Sequence, residues 1–361
     1  QLNGWALLDS STAHYGAAAL FFTYLLEQTG GDPEQLAAEP KNGLAGVEAF
    51  LESTGEARAA VELVADWAVA NFLDESSGPY GYRERDVSAA STAEVEAAGE
   101  GEVHQFASDY LEVSADSIAG PATFTFEGET EVAATAAVDG ADGAFWYSGR
   151  GDNMDSRLTR EVDLSDASSA ALTFRTWYDI ERWYDYAYVA VSDDGGRSWT
   201  ALSGEHTTTE DPLGVSYGPG YGGSSDGWID ERIDLSAYAG ERILLRFEYI
   251  TDDSSNASGW AVDDIAVAEA GFFDGAASDP GGWHREGFRR VSEALPQRFE
   301  LRLITLGPAP AVERIELDAA NRAEVPLAGL GAGYRTAVVA IIATTDGTLE
   351  PARYRYEVAA P

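Results

Sequence analysis

Apolar positions in the first 75 residues recur at helical spacing. Ala17, Leu20, Phe21, Tyr24 and Leu25 share one face behind candidate N-caps at Ser10, Ser11 and Thr12, and Gly30-Gly31 ends the run. Asp32-Pro33 predicts the start of a short second helix, because aspartate caps and proline fits the first helical position. A third helix is expected through Leu44, Val47, Phe50 and Leu51, stopping near Gly55. A fourth carries Val61, Val64, Trp67 and Ala68 on one face. Four such short helices make only a small bundle, which reads as part of a larger domain.

Beyond an Ala/Ser/Glu/Gly-rich linker at 86–101 the period changes to two. Segments 122–126, 158–164, 171–178, 186–192, 228–235, 242–250 and 260–268 are rich in β-branched and aromatic residues and are separated by Gly/Asp/Ser turns. That pattern predicts an antiparallel sandwich. A second β set follows at 298–306, 312–317, 322–326, 335–344 and 352–358, which suits a small immunoglobulin-like or fibronectin-like module. The expected fold is mainly β with an N-terminal helical segment. Its divisions are helices over 1–85, linker and first strand over 86–120, a jelly-roll sandwich over 121–270 and a smaller sandwich over 271–361.

Composition narrows the function classes. Hydrophobic residues make up 45% of the 361, enough for packed cores, and no run of eighteen apolar residues exists to cross a membrane as a helix. Acidic residues outnumber basic ones 62 to 23, for a formal charge of −39. Such a field repels nucleic acid and anionic membranes and attracts cations. The absence of cysteine excludes disulfides and thiolate zinc sites. The chain opens on Gln1 and its only methionine is Met154, so a processed or truncated start is expected, with further sequence upstream.

Longer patterns resemble a known group. "LTFRTWYDIERWYDYAYVAVSDDGGRSWTAL", "GWIDERIDLSAYAGERILLRFEYITDD" and "GWAVDDIAV" resemble the sandwich downstream of the catalytic domain in immune inhibitor A-like metallopeptidases. The last of these also looks like the closing strand of MAM and reelin-type jelly rolls. "AHYGAAALFFTYLLEQTGG", "NGLAGVEAFL" and "ADWAVANFLD" are similar to the helical tail of a thermolysin-like zinc peptidase domain. The resemblance implies a secreted, extracellular or cell-surface protein partnered by an upstream catalytic domain or a cleaved N-terminal chain. None of His14, His104, His206 and His284 continues as H-E-x-x-H, so zinc is expected only in that upstream part. The expected role is a non-catalytic accessory region of a secreted bacterial zinc metallopeptidase. The alternative is an extracellular binding or self-assembling surface protein built from β-sandwich modules.

Several motifs carry candidate chemistry. "SDDGGRSWT" at 192–200 fits the Asp-box pattern, a hairpin in which Asp194 caps the turn and Trp199 packs beneath it. "GRGDNMD" at 149–155 places Asp152 and Asp155 on one loop. In MAM-like and reelin-like sandwiches the first strand ends in a Phe-Glu-Gly turn, the last carries an Asp pair, and the two share a cation. The resemblance therefore implies a structural calcium ion held by some of Glu127, Asp152, Asp155, Asp263 and Asp264, since converging carboxylates repel unless protonated or bridged. Trp177, Tyr178, Trp183, Tyr184, Tyr186 and Tyr188 alternate along two strands. Half should be core, and the rest offer a stacking platform for carbohydrate, a protein ligand or self-association.

Overall fold

The computed structural model describes residues 2, 12–41, 43–95, 97–118, 120–135, 138, 140, 143–276, 281–291 and 294–359. It is mainly β, and among the described residues the α-helices fall in the N-terminal stretch. Helix α1 covers Thr12–Thr29, α2 Pro33–Ala37, α3 Gly43–Thr54 and α4 Ala60–Leu73. Thr12 begins α1, while the other two candidate caps, Ser10 and Ser11, lie outside the described residues. Helix α2 starts as its sequence predicts: the Asp32 carboxylate accepts from the Glu34 N–H at 2.8 Å, with Pro33 at the first helical position.

The chain divides into two compact units. One holds 12–132 together with 296–359, and the other holds 133–295. The first unit is a sandwich with helices on its back. One sheet runs Ala93–Glu94, Ser108–Ser114, Thr336–Ala343, Phe299–Leu306 and Ala311–Ile315. The facing sheet runs Ala98–Val103, Ala352–Ala359, Ala122–Gly128 and Arg322–Leu327. Strand Thr336–Ala343 shows why helices belong here. Its side chains alternate between faces, and both faces are apolar. Ala337, Val339 and Ile341 join Phe124, Phe126 and Leu301 inside the sandwich. Val338, Ala340 and Ile342 turn the other way and pack with Leu63, Val64 and Trp67 of α4.

That arrangement corrects the expected divisions in two places. Residues 1–85 do not form a domain of their own, because the helices cover a sheet built from the C-terminal strands. Ala122–Gly128 is not the first jelly-roll strand either. It pairs in register with Arg322–Leu327 (Ala122 opposite Leu327) and with Ala352–Ala359 (Phe126 opposite Tyr356), completing the sandwich expected over 271–361.

The second unit is therefore an insertion within the first. Its two sheets take the expected strands from 158 to 268, short ones before and between them, and later ones that include Phe272–Asp274 beside Gly259–Val267. Thr200–Ala201, Tyr186–Ser192, Arg242–Ile250, Asp155–Asp163 and Trp283–Glu286 form one sheet. Gly223–Ser224, Ala171–Ile180, Gly259–Val267, Phe145–Tyr147 and Arg289–Val291 form the other, with Ile229–Asp234 also paired to 171–180. Trp283–Glu286 and Arg289–Val291 thus belong to this unit and not to a C-terminal module. The core between the sheets is aromatic: Trp146, Trp260, Tyr249 and Phe247 are fully buried.

At 192–200 the hairpin forms as expected. Gly195 and Gly196 take φ of 75° and 90°. The Asp194 carboxylate accepts from the Ser198 N–H at 3.0 Å, the Ser198 hydroxyl at 2.7 Å and the Arg197 N–H at 2.9 Å, which holds it well below the usual carboxylate range. The Arg246 guanidinium lies 3.7 Å from the Trp199 ring centroid.

Candidate metal centre

Register alone brings three loops of the inserted sandwich to one end. Ile250 lies opposite Tyr186 on one side and Asp155 on the other. The residues just past those strand ends, Asp185, Met154 and Thr251–Asp252, therefore converge. The loops are tied by backbone: the Asn153 N–H donates to the Asp252 carbonyl at 2.6 Å, and Thr251 N–H to the Met154 carbonyl at 3.0 Å. Asn153, Trp183 and Ser255, one in each loop, hold φ of 53°, 76° and 72°, a region that costs a non-glycine residue free energy.

Carboxylates fill the space between the loops. Glu181, Asp185 and Asp252 each present an oxygen, and the three oxygens lie within 4.8 Å of one another. Asp185 is 1% exposed. One of its oxygens accepts from the Asp252 N–H at 2.9 Å, but the other, like one oxygen of Glu181, is buried with no hydrogen-bond partner among the described residues. Burial pushes the Asp185 carboxyl up to about 7, and the charges of Asp252, Glu181 and Asp152 push the same way. Glu181 is raised by burial, then by Asp252 and Asp152. Asp152 is held at the rim by Asn256, whose side-chain N–H₂ donates to it at 2.6 Å.

Orphaned oxygens in a crowded acidic site are what a hard cation compensates, and an all-oxygen donor set suits calcium. Glu181, Asp185 and Asp252 fit the role of ligands, with Asp152 beside them.

Of the five residues expected to bind calcium, Asp152 alone joins this cluster. Glu127 lies in the first unit, where its carboxylate accepts from Arg322 at 2.7 Å. Asp155 pairs with Arg157, and Arg157 also pairs with Glu248 at 2.8 Å. Asp264 sits at a bulge in strand Gly259–Val267 with φ of 48°, 4.0 Å from the Arg175 guanidinium. Asp263 is buried, its Oδ1 without a partner among the described residues, and burial raises its carboxyl to about 6. The expected partnership counts Glu127 with the jelly roll, whereas its strand pairs within the first unit. The residues that were missed, Glu181, Asp185 and Asp252, carried one readable signal: each lies just outside a predicted strand, at ends that antiparallel pairing places together.

Asp263 yields a pH prediction. A carboxyl whose folded value lies above its unfolded value near 3.9 binds its proton more tightly when folded. Stability is therefore lost as pH rises from about 4 to 6, and the full cost, roughly 2–3 kcal/mol, persists above that window. Asp263→Asn should raise the melting temperature at pH 7.5 and change it little at pH 4. Equal shifts at both pH values would show that its charge is not the cause.

Sequence comparison finds likenesses for this sandwich. Residues 127–293 match the family of immune inhibitor A-like MAM domains. The span coincides closely with the inserted unit at 133–295. The chain is 38% identical over 128 residues to pre-pro-metalloprotease PrtV of Vibrio cholerae serotype O1, covering 35% of this chain and 13% of the relative. It is 34% identical over 142 residues to immune inhibitor A of Bacillus thuringiensis subsp. alesti, covering 38% and 19%. Bacillopeptidase F of Bacillus subtilis is 34% identical over 108 residues, covering 30% and 6%. The matches thus span at most about a fifth of these relatives. The resemblance to immune inhibitor A-like proteins holds over the MAM-like sandwich. Among the described residues, no helix is long and apolar enough to cross a membrane.

Proposed function

We infer that the chain is a non-catalytic accessory region of a secreted bacterial zinc metallopeptidase, with calcium bracing its MAM-like sandwich. The likeness of the chain to part of a pre-pro-metalloprotease, beside the match of residues 127–293 to immune inhibitor A-like MAM domains, is the observation that carries the reading. The two orphaned carboxylate oxygens of Asp185 and Glu181 support the cation. Zinc and the peptidase chemistry belong to an upstream catalytic domain, since no histidine here stands in an H-E-x-x-H sequence. The acidic surface suits the extracellular medium, where calcium is plentiful and the field keeps the protein soluble.

Two measurements test this reading. The reading frame upstream of Gln1 should encode an H-E-x-x-H helix, and a frame without one would remove the peptidase parent. The chain by itself should not cleave casein. Cleavage abolished by a zinc chelator and restored by zinc would place the catalytic machinery here after all.

A further inference from the structure

Exposed aromatic surface is concentrated beside the carboxylate cluster. Of eight large apolar side chains exposed among the described residues, Trp183, Tyr184, Leu213, Val215 and Tyr217 all fall within 183–217. Trp183 is 41% exposed and Tyr217 76%. Trp183 also holds its left-handed φ, so both its backbone and its solvated indole count against stability. The Trp183 indole N–H points to the Glu210 carboxylate at 3.4 Å, and Arg182 pairs with that carboxylate at 3.1 Å. Both members of the ion pair are well exposed, an arrangement that contributes little to folding. Tyr186 stacks on Tyr188 with centroids 6.0 Å apart, and its hydroxyl donates to the Glu210 carbonyl at 2.8 Å. Arg182, Trp183, Tyr186 and Glu210, with Thr208 and Ser224, line a cleft of about 300 Å³.

We propose that this cleft is a binding subsite for a neutral glycan. A pyranose ring has an apolar face that packs on an indole or phenol ring and a rim of hydroxyls that need paired donors and acceptors. Trp183 supplies the first, beside the buried Tyr186–Tyr188 stack, and Arg182, Glu210, Thr208 and Ser224 supply the second. The volume suits one sugar residue at a time, and Tyr184 and Tyr217 extend the aromatic surface outside the cleft lining. Charge selects within the class: Glu210 in the cleft and the formal charge of −39 over the chain disfavour uronates and sulfated chains. The loop that carries Arg182–Tyr184 is bounded by Glu181 and Asp185, two of the proposed cation ligands. Calcium should therefore fix the platform, a dependence that rests on the cation reading above.

The test is tryptophan fluorescence and calorimetry of the full chain in calcium. The probes are neutral β-1,4-glucan, mannan and N-acetylglucosamine oligosaccharides, with an alginate oligomer and a lysine-rich peptide as contrasts. At least one neutral oligosaccharide should bind and the alginate should not. Trp183→Ala should weaken binding at least tenfold without altering the calcium-induced shift in melting temperature, while Phe273→Ala, exposed elsewhere on the same unit, leaves binding unchanged. Calcium-dependent melting without binding of any neutral oligosaccharide would overturn the glycan proposal and leave the cation standing. Binding that ignores a chelator would uphold the glycan and overturn the cation link. Capture of the lysine-rich peptide alone, lost in Trp183→Ala, would make the cleft a protein-binding surface and overturn the proposal.

Discussion

Chelating calcium is expected to lower the melting temperature of the MAM-like sandwich by about 5–10 °C. An ion that binds only the folded state at a hundredfold excess over its dissociation constant stabilises it by about 2.7 kcal/mol, and each kcal/mol moves a unit of this size by roughly 2–4 °C. Asp185→Asn and Asp252→Asn should each remove most of the calcium response, whereas Asp155→Asn and Asp264→Asn should keep it. The first variant separates a metal site from a crowded corner. In chelator at pH 8, above the raised value of about 7, the wild type carries a buried charge that Asp185→Asn lacks, so the variant should be the more stable protein. In calcium the order should reverse. Identical melting of the wild type in calcium and in chelator would end the assignment.

The second large effect concerns the helices. Arg302 is 4% exposed and bridges Asp66 of α4 at 3.2 Å and Glu300 at 2.8 Å. Removing it leaves Asp66 with Arg58 at 3.2 Å and Glu300 with Arg314 at 2.9 Å, so the loss is that of charged hydrogen bonds, about 1.5–3 kcal/mol. Arg302→Met should therefore destabilise the first unit by that amount and expose amide hydrogens of α4 to exchange, with the MAM-like sandwich unaffected. Combining Arg302→Met with Asp66→Leu and Glu300→Gln should recover much of the loss, because the two carboxylates that lost a donor are then gone as well. A change below 1 kcal/mol in the single variant would mean that α4 is held by Trp67, Leu63 and their neighbours without help from the ion pairs.

Local chemistry made much of this fold readable. Asp32-Pro33, the period-two runs around 171–192 and 242–268, and the Asp194 hairpin each depend on neighbours a few residues away. What escaped was non-local. Nothing near Phe124 or Phe126 reveals that their partners are Ala323 to Val325 and Tyr356 to Val358, so the strand was grouped with its nearer neighbours. The helices met the same difficulty. The apolar faces of α1 and α4 predicted burial, but the sheet beneath them takes only Ala93–Glu94 and Ser108–Ser114 from nearby sequence and is completed by residues beyond 298. The cation site followed that error in part. Asp152 stands in a loop whose carboxylates are visible in the sequence, whereas Glu181, Asp185 and Asp252 acquire meaning only from the register of the strands they flank.

The insertion also sets an order on synthesis. Strand Ala352–Ala359 lies between Ala98–Val103 and Ala122–Gly128, so the first-made strands of this sandwich wait for partners made after the insertion, at 322–327, 336–343 and 352–359. At about 5–20 residues per second, the stretch from 128 to 299 occupies roughly 10–30 s, long enough for the MAM-like sandwich to fold from contacts wholly its own. For that interval the strands at 98–103 and 122–128 and the apolar faces of α1 and α4 remain uncovered. The acidic residues interspersed there (Glu100, Glu102, Glu127 and Glu129 among them) keep the waiting chains apart by like-charge repulsion.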